Sequence, residues 1–320
     1  MDLFEEKHIK PMLIGKETAP FDDGRYIYEL KWDGERCIAY LEPGMPPELR
    51  NKRNDRMLFK VPELEAISKQ IKKRCILDGE LFILKDGRPD FSLIQRRSLM
   101  SGRFKIELDS KQNPATFLAF DILYHEGRET MLLPLMERKA LLSKTVTDGP
   151  RLAVSKYIDG QGTALFNFAL ERQLEGIVAK IKDSIYIQEK RTTDWIKMKV
   201  MMEEDFVVCG YILKSNHMAS IVLGQYRGNT LIYKGHVTLG VSGQNFDVIS
   251  RHPTLDTAPF IAYPAGHGND QAVWLRPDLV CIVKFMHYTK SGGMRQPVFK
   301  GLRYDKLAVE CVEKYTGGLK

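Results

Sequence analysis

The stretch YELKWDGERCIAY, residues 28–40, places a lysine, acidic residues and an arginine around an Asp-Gly pair, between two runs of strand-forming residues. Asp-Gly between such runs is a common turn signal, so the pattern predicts two strands over 26–42 joined at that pair. Lys31 then has two interpretations: a solvated strand residue beside a hairpin, or a lysine placed for chemistry. Short motifs match by accident, so the rest of the chain must decide between them.

The composition is typical of a soluble globular protein with enough core for two domains. The 320 residues are 43% hydrophobic and 28% charged. No run approaches the roughly 18 apolar residues of a membrane span, and the start, MDLFEEKHIK, has no apolar signal segment, which predicts a cytoplasmic protein. Five cysteines without a C-x-x-C spacing predict reduced thiols in or near the core, with neither a disulfide framework nor a structural zinc site.

The charge balance is compatible with a polyanionic partner. The formal net charge is +7, and the excess of basic residues extends over both halves of the chain. Such a surface can attract nucleic acid, although many proteins with this charge bind none.

The residue pattern divides the chain near residue 200. Before that point, helices and strands alternate, which predicts a mixed α+β domain. After it, short alternating runs separated by Gly, Asn and Ser predict a small all-β barrel. The helices are predicted at 61–73, 90–100, 134–146 and 162–173, and the further strands at 75–84, 116–124 and 175–181, with a second Asp-Gly breaking the strand pattern of 75–84.

Two lysines follow the last predicted strand pattern of the first domain. Lys197 and Lys199, in DWIKMK, are two residues apart and would project from one face of a strand. An amine attacks only in its neutral form, which nearby cations favour, and the same cations can hold a phosphate. If Lys197 and Lys199 lie near Lys31, they would favour its neutral form and also hold a phosphate. The alternative interpretation is that the two lysines simply form a solvated face of the strand.

Three acidic residues lie inside or beside apolar strand patterns. Asp78 and Glu80 interrupt LDGEL, and Glu175 precedes GIVAKI. Carboxylates in such places need partners, and one candidate is a divalent metal held by one or two of them and by substrate phosphates. The alternative interpretation is that these residues are ordinary charged residues at strand ends. No GxxxxGK[ST] and no GxGxxG opening a helix occurs, so a nucleotide would be held by side chains and a bond to lysine.

The motif order resembles a known superfamily. Residues 31–36, KWDGER, have the KxDGxR form of the covalent nucleotidyltransferases, which include ATP-dependent DNA ligases, RNA ligases and mRNA capping enzymes. LDGEL, LAFDIL, EGIVAK and WIKMK follow in the order of that superfamily's motifs III, IIIa, IV and V. Longer stretches, most specifically at 11–36, 117–142 and 294–306, resemble the ATP-dependent ligase domain of bacterial ligase D and its stand-alone relatives.

The resemblance implies both a fold and an activity. The fold would be an α+β nucleotidyltransferase (ATP-grasp-like) domain over 1–200 followed by a small all-β OB-fold barrel over 201–320, with a hinge at 200–204. The activity would be that of an ATP-dependent DNA ligase, which seals 5′-phosphate/3′-hydroxyl nicks through lysyl-AMP and adenylylated DNA, in DNA repair or end joining. The choice between end joining, nick repair and service to a phage genome stays open. The alternatives are an RNA ligase, a GTP-using capping enzyme or a non-catalytic nucleic-acid-binding protein, and PVFKGLRYDK at 297–306 favours the ligase.

The resemblance also implies cofactors and partners. They are ATP, Mg²⁺ with Mn²⁺ as a substitute, and nicked double-stranded DNA, with a Ku-type end-binding protein as a candidate partner and a monomer as the default state. No membrane contact is expected, and the protein would lie in the cytoplasm in association with the nucleoid.

Residue roles carry over at the matching positions. Lys31 would be the adenylylated nucleophile, Glu29 a hydrogen-bond partner of adenine, and Phe120 its stacking platform, with plain core packing as the alternative for Phe120. Arg36 and Glu80 would hold ribose and phosphate.

The remaining implied residues would bind the nucleotide cofactor or the metal. They are Glu175 and Glu80 for the metal, Lys197 and Lys199 for the α-phosphate, Arg191 in the position before WxKxK, and Arg303, Asp305 and Lys306 in the C-terminal motif over ATP. The superfamily's motif Ia usually has a serine–arginine pair, but this chain has LRNKRNDRM at 49–57, so either Lys52 or Arg53 takes that place, and the choice stays open.

Overall fold

The computed structural model describes residues 2–214, 218–289 and 292–314, and the chain divides into two compact units, residues 1–200 and 201–320. The strands of the first unit are β1 (Leu13–Glu17), β2 (Tyr26–Leu30), β3 (Glu35–Leu41), β4 (Glu48–Asn51), β5 (Cys75–Lys85), β6 (Arg88–Pro89), β7 (Ala115–His125), β8 (Arg128–Glu129), β9 (Leu152–Val154), β10 (Tyr157–Asp159), β11 (Gly176–Ile181) and β12 (Arg191–Lys199). Its helices are α1 (Leu3–Glu6), α2 (Phe91–Leu99), α3 (Arg103–Gln112), α4 (Leu135–Thr145) and α5 (Gly162–Glu171).

Two sheets of the first unit pack face to face. One has the strand order β1-β12-β11-β2-β10, and the other β4-β3-β5-β7-β8 with β6 beside β5 and β9 beside β7. The buried layer between them includes Ile38 and Leu123 from the second sheet with Val178 and Trp195 from the first. The outer face of the second sheet packs on helices and 3₁₀ turns, and that of the first on α5. The candidate site lies at the edge of the layer between the sheets.

The Asp-Gly pair of the opening stretch is not a hairpin turn. The prediction of two strands is confirmed, but β2 belongs to one sheet and β3 to the other. The Asp-Gly pair therefore lies where the chain crosses from the first sheet to the second. Gly34 passes so close to β5 that a Cβ atom would lie 2.1 Å from the carbonyl oxygen of Leu81. Lys31 therefore stands at a crossing between two sheets and not on a solvated hairpin.

The second Asp-Gly pair does not interrupt its strand. β5 runs unbroken through Asp78 and Gly79, and a register shift in its pairing with β7 falls between them. A Cβ atom on Gly79 would lie 2.4 Å from the carbonyl oxygen of Leu118 and 2.6 Å from the ring of Phe117. The glycine is required by close packing, and the predicted break was wrong.

The helix predicted over 61–73 is also wrong, because this stretch forms two 3₁₀ turns, Pro62–Leu64 and Ile67–Gln70. Ile71 leaves the turn to form a β-bridge with Val146, and the backbone of Lys72 donates to Thr145 at 3.0 Å. These tertiary hydrogen bonds compete with continued helix and extend the chain.

The other predicted helices are confirmed as α2, α4 and α5, whereas α3 was not predicted. Asp90 caps α2 by accepting from the backbone of Ser92 at 3.0 Å. In α3, Phe104 and Leu108 are exposed, so its apolar residues do not form the inward stripe by which a helix is recognised.

The second unit is built on a curled antiparallel sheet. Its strands are β13 (Met202–Leu213), β14 (Ala219–Arg227), β15 (Thr230–Val237), β16 (Thr254–Leu255), β17 (Val273–Phe285) and β18 (Val298–Arg303), in the order β15-β14-β13-β17-β16 with β18 beside β17. Along β13, Phe206 and Val208 enter one hydrophobic cluster while Val207 and Cys209 enter another. Both faces of this strand are therefore covered. A helix that was not predicted, α6 (Gly243–Ser250), follows β15.

The predicted location of the cysteines in or near the core is confirmed. Cys37, Cys75, Cys209, Cys281 and Cys311 are all free and buried, and burial raises the pKa of each thiol. Within residues 2–214, 218–289 and 292–314, the helices are all too short or too polar to span a membrane.

Candidate active site

A pocket opens where β2 and β11 of one sheet face β3, β5 and β7 of the other. Its lining combines charged and aromatic side chains with a small apolar wall, and Lys31 lies among them. The predicted residues that it brings together are Glu29, Lys31, Arg36, Glu80 and Phe120.

Lys31 follows directly after β2 and is fixed at both its backbone and its amine. The backbone N–H donates to the carbonyl oxygen of Gly176 at 2.9 Å, and Nζ lies 2.7 Å from Oε2 of Glu175. The Lys31 side chain is 23% exposed and that of Glu175 only 7%. The structure thus joins two predicted residues, 144 positions apart in sequence, in one partly buried ion pair that remains open to a ligand.

Arg36 is fixed by a carboxylate and lies against an aromatic ring. Its Nε and Nη2 donate to the two carboxylate oxygens of Asp78, each at 2.5 Å, and its guanidinium carbon lies 4.5 Å from the centre of the Phe120 ring. Tyr186 donates a further hydrogen bond to Asp78 at 2.6 Å. The partners of Asp78 are therefore an arginine and a tyrosine, and a metal is not needed to explain its burial.

Glu80 differs from Asp78 in its electrostatics. Burial raises the pKa of Glu80 to about 8, although the nearby charges of Arg36 and Lys31 lower it; Glu175 adds to the increase. The structure thus holds a desolvated carboxyl that lines the pocket and lies close enough to Glu175 to be affected by its charge. A divalent cation shared by the two carboxylates would offset the free-energy cost of the buried Glu80 charge. These residues therefore fit a metal bound together with substrate phosphates.

Glu29 lies deeper and is held by two lysines that the sequence analysis missed. Its Oε1 is 2.5 Å from Nζ of Lys139 and 3.1 Å from Nζ of Lys180, and all three side chains are 3% exposed. Burial alone would raise the pKa of Glu29, but the two lysines lower it overall. Burial lowers the pKa of Lys180 to about 8, with the charge of Glu29 opposing it.

The Lys180 amine also completes the aromatic wall. Its Nζ lies 4.4 Å from the ring centre of Phe120 and 4.3 Å from that of Trp195, distances at which cation–π attraction applies. Phe120 is thus not simply core packing, because its ring lines the pocket between two cations. The sequence feature that could have identified Lys180 as a site residue is its position inside the apolar run GIVAKI.

The β12 lysines lie beside the Lys31–Glu175 pair. Nζ of Lys197 is 3.4 Å and Nζ of Lys199 is 3.8 Å from the same Glu17 oxygen, which agrees with their shared face. In the ladder, Lys199 is opposite Gly176, whose carbonyl accepts the Lys31 N–H. At the other end of β12, exposed Arg191 donates to the carbonyl of Ile14 at 3.2 Å.

Lys52 and Arg53 are both exposed in the loop after β4. Asn51 shapes this loop, since its Oδ1 accepts from the backbones of Arg53 and Asp55, both at 2.9 Å. The Asn51 amide nitrogen donates to Glu35 at 3.1 Å, which connects the loop to the start of β3. Neither basic residue lines the pocket, and the choice between them stays open.

Arg303, Asp305 and Lys306 cluster within the second unit. Arg303 donates from Nε and Nη2 to Asp305 at 2.9 and 3.1 Å, and Lys306 lies 2.6 Å from Asp205, which the sequence analysis did not single out. Among the described residues there is no group of three or more His, Cys, Asp or Glu side chains arranged to hold a metal ion by themselves.

Comparisons with known proteins agree with this geometry. The family model described as ATP dependent DNA ligase domain matches residues 11–199, and that described as ATP dependent DNA ligase C terminal region matches 214–306. A solved structure, "mycobacterial DNA ligase D complexed with ATP and MES", is 26% identical, has a TM-score of 0.56, and is matched over 96% of this chain and 99% of that one. The fold prediction is confirmed: a nucleotidyltransferase domain followed by an OB-fold.

Curated relatives point to the same family. The "Multifunctional non-homologous end joining protein LigD" of Pseudomonas aeruginosa is 30% identical over 92% of this chain, which spans only 35% of that relative's length. The "SPbeta prophage-derived DNA ligase-like protein LigB" of Bacillus subtilis is 28% identical over 92% of this chain and 99% of its own length. With more than half of its residues matched by the ligase domain model, the chain belongs to the ATP-dependent DNA ligases, enzymes that use ATP and act on DNA.

Proposed function

We propose that this enzyme seals nicks between a 5′-phosphate and a 3′-hydroxyl in duplex DNA, through AMP bound to Lys31 and then to the DNA. The observation that supports this most directly is the 2.7 Å pair of Lys31 and Glu175 at a pocket lined by Glu29, Arg36 and Phe120. A lysine beside a carboxylate at a pocket with aromatic and cationic walls suits covalent capture of a nucleotide.

In the first step, Lys31 would attack the α-phosphate of ATP. A bond forms between Nζ and phosphorus, the bond from the α-phosphorus to the bridging oxygen breaks, and pyrophosphate leaves. The amine must lose a proton, and Glu175 lies within hydrogen-bond distance to accept it. Phosphoryl transfer depends mainly on positioning and on charge neutralisation, which the surrounding cations would supply.

The pocket would hold the nucleoside through its inner residues. Phe120 would stack on the base, and Glu29, fixed by its two lysines, would face the base edge. Arg36 is held in place by Asp78 and would contact the ribose or phosphate with its remaining hydrogen-bonding capacity. The phosphates would meet cations from β12 and from the C-terminal motif, namely Lys197, Lys199, Arg191, Arg303 and Lys306.

A divalent cation would be held by Glu80 and Glu175 together with substrate phosphates, with Mg²⁺ the proposed ion and Mn²⁺ a substitute. Such an ion would neutralise negative charge on the phosphates. Glu80 lines the same pocket as Lys31, whose Nζ lies 2.7 Å from Glu175, and the raised pKa of Glu80, about 8, also favours a cationic ligand.

The two later steps act on DNA. AMP would pass from Lys31 to the 5′-phosphate at the nick, and the 3′-hydroxyl would then attack that phosphate and release AMP. Lys52 or Arg53, exposed in the loop after β4, would contact the DNA backbone or the adenylate.

The first experiment is the intact mass of the protein after incubation with Mg²⁺ and an equal mixture of ATP and GTP. The test variant is Lys31→Ala, and the matched control is Lys111→Ala, which removes an exposed lysine of α3. We expect an added AMP on the native protein and on the control, and none on Lys31→Ala.

Other outcomes would change the proposal. An added GMP would indicate chemistry of the capping-enzyme type. If the native protein gained no adduct and carried none as purified, catalysis through Lys31 would be refuted.

The biological setting is proposed from the relatives. The P. aeruginosa relative is named for non-homologous end joining, and we propose that this chain joins DNA breaks as a monomer, with a Ku-type end-binding protein, at the nucleoid in the cytoplasm. Joining of linear duplexes with and without such a protein, compared with sealing of a nick, would test the partner. Equal rates of end joining with and without it would refute this part of the proposal.

A further inference from the structure

The two cationic side chains of the C-terminal motif, Arg303 and Lys306, form ion pairs with a carboxylate on β13, two strands away from β18 in the same sheet. In the sheet, Asp205 on β13 is opposite Ile282 on β17, and Ile282 is opposite Gly301 on β18. Arg303 lies two residues after Gly301 and therefore points to the same face of β18. The strand register thus brings the side chains of Asp205 and Arg303 together across β17.

Asp205 receives hydrogen bonds from both cations of the motif. Nη1 of Arg303 lies 3.1 and 3.0 Å from its two oxygens, and Nζ of Lys306 lies 2.6 Å from Oδ2. The Asp205 side chain is only 15% exposed. Burial alone would raise the pKa of Asp205, but the hydrogen bonds from Lys306 and Arg303 lower it, so the carboxylate is charged at neutral pH.

The chain after Lys306 is anchored on the other side of the motif. The backbone of Cys311 accepts from Tyr226 at 2.8 Å, and that of Glu313 donates back to Tyr226 at 2.9 Å. The Glu313 carboxylate is 2.5 Å from Lys234 and 2.6 Å from Arg227. The backbone around Lys306 is therefore fixed at both ends, and Asp205 fixes the tips of the two cationic side chains.

We propose that Asp205 is a positioning residue for the first step of ligation: it orders Arg303 and Lys306 in the arrangement that receives the triphosphate of ATP. This rests on the proposed function, in which those two cations act on ATP. Long cationic side chains lose rotamer freedom when they bind, so ordering them beforehand lowers the entropic cost of reaching the transition state. A partly buried carboxylate that accepts three charge-assisted hydrogen bonds is well suited to this task.

The test separates the first step from the last. The variants are Asp205→Asn, which removes the charge at constant size, Asp205→Glu, which keeps it, and Asp256→Asn as a control, because Asp256 is an exposed acid of the same unit outside the predicted hinge. The rate of AMP attachment to Lys31 is measured against ATP concentration with Mg²⁺, and sealing of a pre-adenylylated nick is measured without ATP.

For Asp205→Asn we expect the maximal rate of AMP attachment to fall at least tenfold, with sealing of the pre-adenylylated nick within twofold of the native rate. Asp205→Glu should recover part of the loss, and Asp256→Asn should match the native protein in both assays. If Asp205→Asn adenylylates itself at the native rate, the inference fails while the proposed function stands. If the native protein forms no adduct, the proposed function itself fails.

Two further results would also overturn the inference. An equal loss in both assays, with a lower unfolding temperature, would mean that Asp205 only supports the fold of the second unit. A lower KM for ATP at an unchanged maximal rate would mean that Asp205 competes with ATP for the two cations and does not position them.

Discussion

Glu80 and Asp78 are two residues apart on the same strand but have different surroundings. Asp78 is fully buried and bonded to Arg36 and Tyr186, whereas the pKa of Glu80 is raised to about 8 because burial is only partly offset by nearby cations. The first carboxylate therefore holds Arg36 in place, whereas the second is the one that we propose binds a cationic ligand. Strongly perturbed pKa values cluster at functional sites, so Glu80 is the better candidate of the two for a role in catalysis.

This difference predicts a pH-dependent effect of Glu80→Gln. In the unfolded chain the carboxyl titrates near 4.5, but in the folded protein it keeps its proton up to about pH 8. Between these values the folded state binds more protons, so this group makes stability fall as pH rises. At pH 8.5, without ligands, the substitution should raise the free energy of unfolding by at least about 1.4 kcal/mol, the equivalent of one pKa unit, and at pH 4, below the pKa of the unfolded chain, it should change little.

Urea unfolding at the two pH values measures this effect. Glu171→Gln, an exposed acid on α5, is the matched control and should behave as the native protein at both. A Glu80→Gln protein that is less stable at pH 8.5 would contradict the assignment of a desolvated carboxyl. The same variant should also attach AMP to Lys31 more slowly if Glu80 helps to hold the metal.

The sequence predicts the residues of the site better than their partners. Lys31, Glu80 and Phe120 line the pocket as motif order suggested, because each lies in a recognisable local pattern. Lys139 and Lys180 were missed because a lysine inside an apolar helix or strand pattern gives no local sign of the carboxylate that it meets. Pairing across the fold is decided by tertiary structure, which one sequence does not display.

At the level of elements, the errors share a cause. The expected helix at 61–73 and the expected break in β5 both came from local propensity, and in each case contacts with distant strands decided the structure. Helices with an inward apolar stripe, such as α2 and α5, were predicted correctly, while α3, with outward apolar residues, was not.

The packing around β5 predicts a large cost for Gly79→Ala. The new methyl group would meet the carbonyl oxygen of Leu118 at 2.4 Å and the ring of Phe117 at 2.6 Å, and a strand cannot move away without disturbing the sheet. We expect the free energy of unfolding to fall by about 1–3 kcal/mol or more. Gly24→Ala is the control, since a methyl group there would meet nothing within 4 Å; chemical denaturation of both proteins is the measurement. Equal stabilities would refute the close approach.

The loop after β4 predicts a step-specific effect of Asn51→Ala. The substitution removes the side-chain acceptor of two backbone hydrogen bonds and the link to Glu35, so the loop that presents Lys52 and Arg53 loses its fixed shape. If that loop contacts DNA, sealing of nicked DNA should slow about tenfold while AMP attachment to Lys31 changes little. Gln112→Ala, an exposed amide of α3, serves as the control. A selective loss of AMP attachment would contradict this role for the loop.

For the molecule as a whole, the charge is distributed and not concentrated in one domain. The first 200 residues carry 35 basic and 31 acidic side chains, a net charge of +4, and the remaining 120 carry 13 and 10, a net charge of +3. Both units thus have an excess of cations available to a polyanion.

This distribution predicts that DNA binding depends strongly on salt. If six to ten phosphates are contacted, affinity for a nicked duplex should fall on the order of 10³–10⁵-fold between 50 and 200 mM salt, because bound cations are released. Fluorescence anisotropy with labelled DNA measures the slope, and AMP attachment without DNA in the same buffers is the reference. An affinity that is independent of salt would refute binding through backbone phosphates.

The buried thiols have a practical consequence for such experiments. Because Cys37 and Cys75 lie in the first unit and Cys209, Cys281 and Cys311 in the second, the folded chain offers alkylating reagents almost no reactive sulfur. A single cysteine placed on an exposed surface could then carry a fluorophore without removal of the native ones. As urea is added, peptide mapping of the newly alkylated cysteines would report which of the two units opens first.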